Sequence, residues 1–190
     1  TLKQDLEQRL ESEIGNAIAQ VEPKVTQLTA TRGGIYSRIN LAQSLMRRGI
    51  SDYAPRTLKD RQTAQILATA VKQARSINNV TAEAEAMGYL GSLYEQQGQY
   101  QSARRLTEGA LQLAPTAEYP DIAYRWNAQL GRILAAQGQR VPALSAYETS
   151  FNTIRTLRSD LATTPVEPIF REYISLLLQA EPSTSQLAQA

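Results

Sequence analysis

Seven residues recur at a fixed offset of forty. Leu90, Gly91, Gln97, Gly98, Gln99, Ala103 and Glu108 return as Leu130, Gly131, Gln137, Gly138, Gln139, Ala143 and Glu148. A looser copy lies upstream, where Leu41, Ala42, Leu45 and Gly49 match Leu90, Gly91, Tyr94 and Gly98. Self-similarity at this period is the mark of stacked two-helix units, each too small to bury its apolar face alone. The repeat predicts an all-α chain: a right-handed α-solenoid of antiparallel helix pairs, with roughly three repeats and flanking helices. No segment sustains the period-two alternation of a half-buried strand.

Hydrophobic spacing and punctuation place the elements. Leu2, Leu6, Leu10, Ile14, Ile18 and Val21 share one helix face. Pro23 should end or sharply bend that helix, because proline removes an N–H and clashes with the preceding turn. A short turn-helix over 24–29 and Gly33-Gly34 complete a connecting segment over 1–34. Repeats are expected over about 35–79, 81–117 and 120–161. Helix 35–48 ends at Gly49, 51–60 reads as a loop, and 61–76 is the return helix, closed by Asn78-Asn79. Helices over 81–97, 100–113, 121–137 and 141–161 follow. A capping-box start at Thr164, Pro165 and Glu167 opens a C-terminal helix within 162–181, and 182–190 lacks periodicity. The N-terminal helix has three readings: a cap on the first repeat, half of a truncated repeat, or a seam that pairs with another chain.

Composition narrows the chemistry. The chain has no Cys and no His. Zinc sites of the common kind, cysteine nucleophiles and histidine bases are therefore absent from it. Neither a metal nor a cofactor is expected, no catalytic residue is assigned, and the chain is not expected to be an enzyme. The net charge of +2, with arginines interleaved among acidic and amide side chains, does not make the basic face of a nucleic-acid binder. No run reaches the ~20 apolar residues of a spanning helix, so no membrane contact is expected. The first residue is Thr1 rather than Met, which suggests a processed or excised piece, and the compartment stays open.

Leu90, Gly91, Tyr94, Ala103, Ala110 and Pro115, with Leu130, Gly131, Leu134, Ala143 and Tyr147, resemble the tetratricopeptide repeat. That family places a Leu-Gly pair, an aromatic or Leu three residues on, small residues in the second helix and a terminal Pro. Thr107 and Arg155 depart from it, standing where an aromatic and a Pro are usual. The segment Leu157 to Leu161, followed by Val166 to Arg171 and Leu176 to Leu178, is similar to the stretch joining such repeats to a CHAT domain, a caspase-like peptidase domain. The resemblance implies a protein or peptide ligand and a covalently linked peptidase domain in the full-length protein. It implies a role as the regulatory or substrate-recruiting part of that peptidase; a structural scaffold or oligomerisation module without an open ligand groove is the alternative. The family uses a His and a Cys, and this chain supplies neither.

Projecting the repeat onto the chain gives a stripe along the first helices. Its members are Tyr36, Gln43 and Arg47, then Glu85, Ser92, Glu95 and Gln96, then Arg125 and Arg132. Arg125 and Arg132 are two turns apart, so both lie on one face; they read as ordinary solvated surface arginines or, alternatively, as a clamp for a carboxylate. Trp126 and most tyrosines are expected to pack structurally. Glu83 and Glu85, pointing to different faces, read as solvated charges.

Overall fold

A computed structural model describes residues 2–46, 56–115, 118–157 and 166–178. Among these the chain is all-helical: α1 (Leu2–Thr26), α2 (Arg32–Met46), α3 (Arg56–Ser76), α4 (Val80–Gln96), α5 (Tyr100–Leu113), α6 (Pro120–Ala136), α7 (Arg140–Thr156) and α8 (Glu167–Leu178). The helices fall into two compact units, Thr1–Leu113 and Ala114–Ala190.

The turns explain why helices pair. After α4, Gly98 takes φ +73°. Its N–H donates to the Glu95 carbonyl, and the Gln99 N–H donates to the Tyr94 carbonyl. After α6, Gly138 takes φ +74°, and the same two bonds join Gly138 to Ala135 and Gln139 to Leu134. These are Schellman motifs, in which a left-handed residue folds back to satisfy the last carbonyls. At the end of α3 Asn78 does the same at φ 54°, one of the few side chains that tolerate it. Asn79 then caps α4, its Oδ1 accepting the Ala82 N–H at 3.1 Å.

In the first unit, apolar faces close into two clusters. Leu41, Leu45, Ile66, Leu67, Leu90 and Leu93 form one, with Val25 of α1. Ile35, Ile39, Ala70, Ala74, Ala82 and Ala86 form the other, where alanines let α2, α3 and α4 approach. Arg75 of α3 donates through Nε and Nη2 to Glu83 Oε1 of α4, at 2.9 and 2.7 Å. Glu83 is thus a buried, paired carboxylate and not the solvated charge that spacing suggested.

In the second unit α6 and α7 pack antiparallel, and α8 lies against both. Gly131 faces the Tyr147 ring: a Cβ at Gly131 would lie 2.7 Å from Tyr147 Cδ2. Thr107, forty residues before Tyr147, carries no ring. It is fully buried and its hydroxyl donates to the Ala103 carbonyl at 2.8 Å. Helix α8 docks through Ile169, Tyr173 and Leu176. Its Phe170 meets Phe151 edge-on at 5.3 Å, and Tyr173 stacks on Tyr147 at 6.0 Å. Arg140 Nη2 donates to the Leu176 carbonyl at 3.1 Å, satisfying a terminal acceptor of α8.

Several boundaries differ from the sequence expectation. Helix α1 passes through Pro23 and ends at Thr26: a proline in the last turns costs one i→i−4 bond, and the Leu28 N–H and Arg38 Nη2 donate to the Val25 and Thr26 carbonyls. No separate turn-helix over 24–29 forms. Helix α3 begins at Arg56, so part of the expected loop over 51–60 is helical. Helix α7 ends at Thr156 rather than at 161. Ile174 and Leu177 remain exposed, because α8 turns the 169, 173 and 176 side of its surface to α6 and α7. The capping-box residues Thr164 and Pro165, and the tail from Pro182, lie outside the described residues.

Replacing Gly131 by Leu should cost about 1–3 kcal/mol through overpacking against the ring. Urea unfolding monitored by circular dichroism measures it. In a Tyr147→Ala background the same change should cost clearly less, because the obstructing ring is gone.

Candidate binding face

The stripe expected from the repeat lies on α2, α4 and α6. In the first unit α2 and α4 pack on one another. Tyr36 is half-buried against the alanine-rich cluster, with the Arg32 guanidinium 6.0 Å from its ring centroid. Gln43, Glu85, Ser92 and Glu95 are half-buried and Gln96 is exposed. Arg47 lies outside the described residues. Adjacent helices thus carry Tyr36 and Gln43 on one and Glu85, Ser92 and Glu95 on the other, a mixed polar surface with one aromatic.

In the second unit both stripe arginines are engaged. The Arg125 guanidinium lies 5.6 Å from the centroid of Trp126, which is itself buried at 3% exposure. That placement suits the cation–π attraction of an indole face. Arg132 Nη1 meets Glu172 Oε2 of α8 at 3.3 Å, and the Tyr147 hydroxyl donates to the same oxygen at 3.2 Å. These groups border a cleft of about 380 Å³ between α6, α7 and α8, with Arg171 and Leu176 on its walls. A ligand carboxylate seeking Arg132 must therefore compete with Glu172. The pair is about one-third exposed on each side, 35% and 36%, so water keeps the competition open.

Sequence reasoning missed Glu172 and Arg38. Glu172 lies on α8, outside the repeats, and no spacing in the sequence pairs it with Arg132. Arg38 sits inside the apolar stripe Ile35, Ile39, Ala42 and is 1% exposed. A lone cation at a core position of an amphipathic helix was its signal. Burial pushes the Arg38 pKa down from its ordinary value, yet a guanidinium remains charged in any ordinary buffer.

Paired helices and Schellman turns at equivalent repeat positions define a helical-repeat protein. A family model for the tetratricopeptide repeat matches residues 84–117, the stretch holding most of α4 and all of α5. No curated protein matches the chain. No helix among the described residues is long and apolar enough to cross a membrane.

Glu172→Gln should lower the unfolding free energy by less than about 1 kcal/mol, as expected for a half-exposed pair. Urea titration of the parent and variant at low and high salt checks this. A larger, salt-insensitive loss would show that the pair is a structural clasp holding α8.

Proposed function

We propose that the chain is a protein- or peptide-recognition module that acts without catalysis of its own. Tetratricopeptide repeats generally mediate protein–protein interaction. The supporting observation is the family match over 84–117, on the helix pair that carries Glu85, Ser92, Glu95 and Gln96. The first-helix stripe is its contact face. In the first unit that face offers an aromatic ring, amides and carboxylates. In the second it offers Arg125 and Arg132 as anchors for an acidic segment.

A scaffold role is the second reading, favoured by the Arg132–Glu172 pair, which occupies one anchor with a side chain of α8. The finer proposal is that the module serves as the regulatory or substrate-recruiting part of a CHAT-type peptidase. It is supported by the sequence similarity of 157–178 alone. It predicts a reading frame continuing past Ala190 into a domain with a His and a Cys in caspase-like arrangement. Sequencing the encoding frame tests it.

Selection from a random displayed peptide library tests recognition. Acidic peptides should be enriched by the parent and bind more weakly as salt rises. The double change Arg125→Ala and Arg132→Ala should weaken them about tenfold or more at a matched melting temperature. Equal binding by parent and variant would remove the arginine anchors. Failure to enrich any peptide would favour the scaffold.

A further inference from the structure

The first unit holds a cleft of about 540 Å³ between α1, α2 and α3. Its walls carry Glu22 and Thr26 from α1, Arg38 from α2, and Gln65, Thr69 and Lys72 from α3. The α3 contributors recur at four- and three-residue spacing, so one face of that helix is turned to the cleft. Packed helices ordinarily fill such a space with apolar side chains. Here amides, hydroxyls and charges share the lining with Ile66, Ala68 and aliphatic stems, and the volume lies in the range of small-molecule sites.

Arg38 makes the cleft chemically distinctive. Nη2 donates to the Thr26 carbonyl at 3.0 Å and the Leu28 carbonyl at 2.7 Å, and Nη1 donates to the Gly34 carbonyl at 3.3 Å. These bonds use three of the five guanidinium N–H groups. The acceptors are neutral carbonyls, one of them that of Thr26 at the C-terminal end of α1, where the helix dipole is negative. They lower the cost of burying the cation but do not neutralise it. Among the described residues no carboxylate pairs with Arg38, and none joins Glu22 to Lys72. A buried cation without a counter-charge is costly. With spare donors beside a solvent-open space, it is suited to receive an anion.

The charges also have a pattern. Arg38 and Lys72 supply two cations, and Glu22 on the α1 wall supplies one carboxylate. Neutral hydrogen-bonding side chains, Thr26, Gln65 and Thr69, complete the set. We propose that this cleft binds a small amino-carboxylate, a free amino acid. Its carboxylate is held by Arg38 and Lys72, its ammonium faces Glu22, and its polar groups bond to Gln65 and Thr69. The site is independent of the first-helix stripe, and it makes the first unit a ligand-responsive element: a bound molecule would tie α1 to α3.

The test uses the intact chain and the twenty L-amino acids, each added singly at millimolar concentration. Thermal melts and isothermal titration are the readouts. At least one amino acid should raise the melting temperature and bind saturably, as mass action requires of a ligand that prefers the folded state. For that probe, the carboxamide derivative should bind about tenfold more weakly or worse, since it forfeits charge-assisted bonds. The N-acetyl derivative should lose the contribution of Glu22. Lys72→Ala and Glu22→Gln should each weaken binding at least several-fold. Thr69→Trp, which fills the cleft from an exposed position, should abolish it while the circular dichroism spectrum is kept. Arg38→Ala is avoided because it also removes the bonds that hold α1. Binding of none of the twenty, or binding unchanged by Thr69→Trp, overturns the proposal.

Discussion

The return of the chain after α3, α4 and α6 governs the rest of this structure. A short, fixed turn holds two successive helices antiparallel over a shared core. Residues 78, 98 and 138 provide that by adopting the left-handed conformation and letting two amides reach back to the last turn. Once the reversal is fixed, small residues decide how close the pair comes. Gly131 brings α6 against the Tyr147 ring, and alanines at 70, 74, 82 and 86 do the same among α2, α3 and α4. The forty-residue recurrence is the sequence trace of both demands.

Much of this was legible. Gly98 and Gly138 stand at identical repeat positions, and Pro120 opens α6 where an N–H is not needed. Helix α5 has the bounds that Tyr100 and Pro115 suggest. Less was readable where one signal had to be weighed against tertiary contacts. Pro23 does not stop α1, and the exposed faces of α8 could not be told from the docked one, because Ile169, Tyr173, Ile174 and Leu177 are all apolar. Only packing on α6 and α7 distinguishes them.

The binding face was legible as a register and not as a chemistry. Spacing alone puts Tyr36, Glu85 and Arg125 at equivalent positions. It does not reveal that Arg132 meets a carboxylate on a later helix, or that Arg125 rests on an indole. Those pairings depend on which helix follows in space, which periodicity does not encode. Glu83 illustrates the same limit. Its spacing from Glu85 says that the two diverge, but only the end of α3 supplies Arg75 and turns a surface charge into a buried one.

The single tryptophan has an optical consequence. Trp126 is nearly inaccessible to water and belongs to the second unit. Selective indole excitation therefore reports the melting of that unit alone, whereas helical ellipticity sums over both. Coincident transitions would mean that the two units lose structure as one cooperative body; separated transitions would give their order. The chain thus carries a built-in, label-free gauge of whether a perturbation in one unit is felt in the other.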